Sequence, residues 1–392
     1  MSSSTAFIVL FVLVAWNIWT TRRVVQLKFP DHQRAVIIIM IWLVPVLGGL
    51  FSFLDPAGRR RAPPPRIAAP PERESAPQEL ARPGMPSFAI GEHLFDGQGF
   101  PILDWKQLAA WSASAPDAGQ RAAAVELGRR AWLLLMQETL GPHAHVLETD
   151  DAWVLSSYEP KVAQAAARFM TTARQRIAKL LDGVARFPAG TRSILVVLDS
   201  QEQYYRYITN YYPDEGEFAF SSGMFVDPGC PHFVTVTDDL TNIEPVIAHE
   251  MTHSALAYLE LPRWLDEGIA VSTEHRVSAS HRHVSQQLET MSRHLEFWNT
   301  ERMQEFWSGE SFHRTDDGNA LSYDLAQGIV ALLGREWTSF TRFVLGAKRD
   351  DAGAAAARAA LNLDLGELAA ATLRFPARKD WSPNPSAWRH AD

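Results

Sequence analysis

His249, Glu250 and His253 stand in the order H-E-x-x-H within the run Val246–His253. On a helix, residues four apart share one face, so the two imidazoles would lie one turn from each other. Nitrogen donors held that way suit a tetrahedral cation such as Zn2+. Glu250 stands beside them, placed to take a proton from a metal-bound water. The chemistry this predicts is hydrolysis by a metal-activated water. The plainer alternative is a buried helix that carries two histidines incidentally.

A helix is expected here on local grounds. Asp238, Asp239, Thr241 and Asn242 are candidate N-caps, and Pro245 suits a first helical turn. Val246, Ile247, Met251, Ala255, Leu256 and Leu259 form an apolar surface that would bury it. A catalytic zinc needs a third protein ligand and one open position. After a turn around Glu260–Pro262, a second expected helix brings two adjacent carboxylates, Asp266 and Glu267.

The run Trp264–Ala270 resembles the W-x-x-E-G-x-A signature of the gluzincin (MA-like) metallopeptidases. That resemblance implies Glu267 as the third zinc ligand and disfavours its competitor, Asp266. The order of elements over residues 143–375 is similar to the same group, which implies an α+β, zincin-like domain with a small mixed sheet. It further implies that the strand before the motif helix, Phe233–Thr237, is the sheet edge along which a peptide substrate adds. The later helix Asn319–Leu333 carries Tyr323 near its start, where similar domains place a tyrosine facing the cleft. Tyr323 would then donate to the developing oxyanion, the alternative being a packing role beneath the motif helix.

Other histidines carry less. His275, His281 and His283 follow the ligand helix as surface turn residues, and His232 and His313 have no better claim to catalysis. The tyrosines of Gln201–Tyr212 read as packing residues.

Composition narrows the partners. The 392 residues carry a net charge of −8 with no basic stripe, which argues against nucleic-acid binding. A single cysteine, Cys230, excludes an internal disulfide and any multi-thiolate zinc site. Neither fact fixes the compartment.

The chain divides by composition. Ser2–Trp19 and Ala35–Leu54 are uncharged apolar runs of membrane-crossing length, so residues 1–56 read as a two-helix, multi-pass anchor of a bacterial-type inner membrane. Trp42–Gly49 is similar to the two-helix module found before phospholipase D and cardiolipin synthase-like domains, although no phospholipase motif follows. Flanking charges of the first run favour an external N-terminus, whereas total counts favour both ends inside. The Arg59–Arg61 cluster inclines the reading to a cytoplasmic catalytic domain. Residues 57–84, rich in proline and arginine, read as an extended linker. Residues 85–142 read as a helical prelude, 143–375 as the catalytic domain and 376–392 as a poorly ordered tail.

The sequence thus predicts a membrane-anchored zinc peptidase acting on a peptide or protein. No amine-binding carboxylate of an aminopeptidase is recognisable, which favours an endopeptidase. The alternative is a membrane-tethered binding or scaffold protein with the same fold and a catalytically silent site.

Overall fold

The computed structural model describes residues 73–187, 190–212, 223–278 and 284–388, together with Thr21. The chain forms two compact units, Met1–Pro63 and Pro64–Asp392. The two apolar runs lie outside the described residues. Among the described residues no helix is long and apolar enough to cross a membrane.

The second unit opens with two small antiparallel hairpins, β1 (Glu79–Leu80) with β2 (Phe88–Ala89) and β3 (Leu94–Gly97) with β4 (Phe100–Leu103). Helices α1 (Trp105–Ala113) and α2 (Ala118–Leu140) follow, each started by an aspartate that caps free backbone N–H groups, Asp104 and Asp117. Residues 85–142 are therefore mixed rather than purely helical. The chain is also pinned before Gly84, the expected end of the linker. Arg73 donates to the Gln137 carbonyl, the Ala76 N–H donates to Glu138, and Leu80 is buried. One apolar anchor and a few polar contacts suffice to order a stretch whose composition alone could not form a core.

The main sheet contains β5 (His145–Glu148), β6 (Ala152–Ser156), β7 (Ser193–Leu198), β8 (Gly223–Val226) and β9 (His232–Val236), in the order β5-β6-β7-β9-β8. The β6-β7 and β7-β9 pairs are parallel, and the outer pairs are antiparallel. Both faces are covered, so the inner strands read as continuous apolar runs. Side chains alternate between two cores. Val154, Leu195, Val197 and Phe233 face one. Trp153, Leu155, Ile194, Val196, Leu198 and Val234 face the other, where Trp132 and Met136 of α2 cover them. The prelude is thus the back layer of the same unit.

The edge beside the motif helix is β8, and β9 lies inside the sheet. This corrects the expectation for Phe233–Thr237. β8 and β9 form a hairpin, and β9 spends its other side on β7, which leaves the shorter strand outermost.

The front layer is helical. Helix α3 (Pro160–Leu180) crosses between β6 and β7 and buries Ala163, Ala166, Ala167, Met170, Ala173 and Ile177. Helix α4 (Gln201–Ile208) lies on the back, with Tyr204 and Tyr207 fully buried, as packing residues should be. The motif helix is α5 (Leu240–Leu256), capped by Asp239. Because it begins at Leu240, Pro245 lies inside the helix rather than in its first turn, and one backbone hydrogen bond is forgone. Then come α6 (Arg263–Val277), α7 (Val284–Phe297), α8 (Thr300–Ser308), α9 (Gly318–Leu333), α10 (Trp337–Gly346), α11 (Ala354–Leu361) and α12 (Leu365–Thr372). The described residues after Pro376 are not loose. Trp381 is fully buried, and its carbonyl accepts from Trp307 Nε1 at 2.6 Å.

His232 of β9 is buried among aromatic rings. Its Nδ1–H donates to the Cys230 carbonyl and its Nε2 accepts from the Tyr207 hydroxyl, both at 2.7 Å. Burial pushes its pKa down to about 4. The folded-state value is depressed, so the unfolded chain binds the proton more tightly. Stability is therefore fully present above about pH 6.5 and lost as pH falls toward 4. The loss over that window is expected to reach about 3 kcal/mol. Denaturant melts at a series of pH values should show it in the wild type and not in His232→Gln. Equal acid slopes in both proteins would refute this assignment.

Candidate metal centre

Helix α5 buries Ile243, Ile247, Ala248, Met251 and Ala255 against the sheet and α3. A helix face so committed turns the positions between those residues the other way. His249, Glu250 and His253 consequently line a cleft of about 760 Å³. The cleft's second wall is α6, which buries Trp264, Leu265, Gly268 and Ile269 and leaves Asp266, Glu267 and Glu274 facing it. Its rim includes β8, pressed so close to α5 that a Cβ at Gly223 would stand 2.2 Å from Val246 Cγ1.

Three acceptor atoms converge. His249 Nε2 and His253 Nε2 are 3.1 Å apart, and Glu267 Oε2 lies 3.3 Å from the first and 3.4 Å from the second. Ligands about 2.0–2.1 Å from a tetrahedral zinc are separated by about 3.3–3.4 Å. The observed triangle has that size. The other ring nitrogens are occupied by carboxylates, His249 Nδ1 by Glu274 Oε2 at 3.2 Å and His253 Nδ1 by Asp266 Oδ2 at 3.0 Å. An ionised carboxylate can only accept, so each Nδ1 carries the proton and each Nε2 presents its lone pair to the common point. Glu267 Oε2 is within ion-pair distance of both rings, yet it is buried and accepts no well-directed hydrogen bond. Three lone pairs facing one another are repulsive unless a cation, or protons, lie between them. The donor set fits a zinc ion.

Electrostatics describe the same pocket without a cation. Burial disfavours a charged His249, but Glu267 and Glu274 outweigh it and hold its pKa up to about 9. His253 is likewise raised well above its usual value, burial being overcome by Asp266 and Glu267. Burial opposes ionisation of Glu267, and the two histidines nonetheless hold it far below the ordinary carboxylate range. A pocket that gathers protons in this way surrenders them when a metal takes their place.

Glu250 is outside the triangle. Its Oε2 accepts from the Phe225 N–H of β8 at 2.7 Å, and burial raises its pKa against the pull of the two histidines. Tyr323 is in the first turns of α9 and lines the cleft, with Phe312 edge-on to its ring at 5.2 Å. Its hydroxyl makes no hydrogen bond among the described residues. Burial and the nearby Glu267 push its pKa up, so it stays a donor.

The structure thus brings together His249, Glu250, His253, Glu267 and Tyr323, and it gives Asp266 a different place. Asp266 holds an imidazole rather than competing for the convergence point. Glu274 was missed from sequence, although it follows Glu267 by two helical turns and so shares its face. Also unanticipated was His294, buried between Asp324 Oδ2 at 2.9 Å and Trp298 Nε1 at 2.8 Å. His313 lines the cleft, His232 belongs to the back core, and His281 and His283 lie outside the described residues. No family model matches the chain, and no curated protein matches its sequence.

Proposed function

We propose that this chain is a zinc-dependent peptidase of gluzincin type, with an α+β, zincin-like catalytic domain and an anchor in the membrane formed by its two N-terminal apolar runs. The observation that carries the reading is the triangle of His249 Nε2, His253 Nε2 and Glu267 Oε2, with both Nδ1 atoms already bonded to carboxylates. These three residues would hold Zn2+. When bound, the ion supplies Lewis acidity, acidifying a water and polarising a carbonyl.

The chain's own residues do the rest. Glu250, steadied by the Phe225 N–H, takes the proton of the attacking water and returns it to the departing amine. The Tyr323 hydroxyl donates to the carbonyl oxygen as that atom gains charge. An extended peptide adds along β8, the outermost strand of the sheet among the described residues, where its backbone borders the cleft. The lining carboxylates are Glu250, Asp266, Glu267 and Glu274, and each already has a partner or a place in the triangle. Among the described residues none is left to receive a substrate's terminal amine, which favours internal cleavage over aminopeptidase action.

The test uses the full chain in detergent with a broad peptide library. One zinc per chain is expected, with cleavage lost on chelation and restored by Zn2+. Bound zinc without turnover of any peptide would instead support a binding or scaffold protein. A chain that takes up no zinc would end the metal-centre reading itself.

A further inference from the structure

We propose that the cleft selects substrates carrying a carboxylate, on an acidic side chain or at a free C-terminus, through Arg263 and Arg349. The inference rests on the peptidase reading and names the substrate class of the same site.

Both guanidinium groups belong to residues that line the cleft. Arg263 is the first residue of α6, one helical turn before Glu267, and therefore on the same flank. Its stem rests over Gly309, where a Cβ would stand 3.1 Å from Arg263 Cβ, and its Nη1 lies 3.4 Å from His313 Nδ1. Arg349 opens a short 3-10 turn, Arg349–Asp351, and its Nε donates to the Leu261 carbonyl at 3.0 Å. That single bond fixes the plane of the fork and leaves its terminal N–H groups for another acceptor.

Neither arginine forms an ion pair with a carboxylate of the described residues. Arg314, by contrast, is held by both Glu305 and Asp316. The cleft's four carboxylates among the described residues are committed to imidazoles, to the convergence point or to a backbone N–H. Beside those committed carboxylates the cleft presents two guanidinium groups, whose forks match carboxylates in both charge and geometry. Arg263 is also near enough to oppose, with its charge, the upward push that burial and Glu267 exert on Tyr323. A carboxylate bound there would consequently sit within reach of the reacting end of the cleft.

The experiment measures kcat/KM of the zinc-loaded full chain on matched peptides. One pair exchanges glutamate for glutamine beside the scissile bond, and the other exchanges a free C-terminus for its amide. At least one acidic member should be preferred by about 10–100-fold, the scale of a charge-assisted contact. That gap should shrink toward unity in Arg263→Gln or Arg349→Gln, with zinc content unchanged, and Arg263→Lys should recover part of it. A gap confined to the amide pair assigns the arginines to a chain terminus, and a gap confined to the glutamate pair assigns them to a side chain. Either outcome supports carboxylate recognition. Equal cleavage of acid and neutral peptides, or a gap untouched in both glutamine variants, overturns the proposal and leaves the peptidase standing. No cleavage of any peptide removes both.

Discussion

Glu250→Gln is expected to keep one zinc per chain and to lower kcat by about 10²–10⁴-fold, the range over which a positioned general base contributes. The geometry isolates the effect. Glu250 is not one of the three atoms at the convergence point, so its charge is not needed to hold the ion. Glutamine has the same length, and its amide oxygen can still accept from the Phe225 N–H, which Glu250 Oε2 meets at 2.7 Å. What disappears is the ability to take a proton. Zinc stoichiometry and single-turnover rates, measured on the same preparation, separate the two properties. A variant that keeps its zinc and more than a tenth of its activity would refute the role assigned to Glu250.

The second large effect concerns Gly268, on the far side of α6 from the cleft. A Cβ there would stand 2.6 Å from the Ala326 carbonyl oxygen and 2.8 Å from Val330 Cγ2 of α9. The nearer obstacle is backbone in the middle of a helix and cannot swing aside, so α6 and α9 must part. Overpacking of this kind costs about 1–3 kcal/mol for alanine, and Gly268→Val should exceed that. The site suffers too, because α6 carries Asp266, Glu267 and Glu274 while α9 carries Tyr323. A displacement of about 1 Å between them is expected to reduce kcat by about 10²-fold. Gly346 provides the control, since a Cβ there meets only Ala356 Cβ, at an ordinary 3.5 Å. Gly268→Ala should melt at lower denaturant than Gly346→Ala and lose activity. If the two variants behave alike, the close crossing is not what requires glycine at this position.

Gly268 also shows why part of the site is legible in sequence and part is not. Within the run Trp264–Ala270 it reads only as one letter of a signature. Its physical requirement becomes visible when α9 is laid across α6. The same holds for the two carboxylates beside it. Asp266 and Glu267 are neighbours of equal chemistry, and nothing along the chain says which reaches the convergence point. The rotation of α6 against α5 decides it, turning Glu267 toward both Nε2 atoms and Asp266 toward His253 Nδ1.

Short-range patterning carried the rest a long way. Apolar patterning located the strand Phe233–Thr237 and the helices α5, α6 and α9 near their observed bounds, because burial imposes a period on each element separately. The i, i+4 spacing of His249 and His253 set their shared face before any partner was known. Strand order was a different matter. Whether β8 or β9 is outermost depends on which neighbour each strand pairs with across the sheet, and residue pattern is blind to that choice. The end of the linker and the C-terminal stretch read as loose for a related reason. Leu80 and Trp381 are isolated apolar residues in polar or proline-rich surroundings, with no periodicity to announce them. They are buried because α2 in one case and α8 in the other offer a place to bury them. The sequence by itself determined the local elements and the two imidazoles on one helical face. The tertiary structure alone decided the sheet edge, the roles of Asp266 and Glu274, and the close crossing at Gly268, since each depends on contacts between segments distant in the chain.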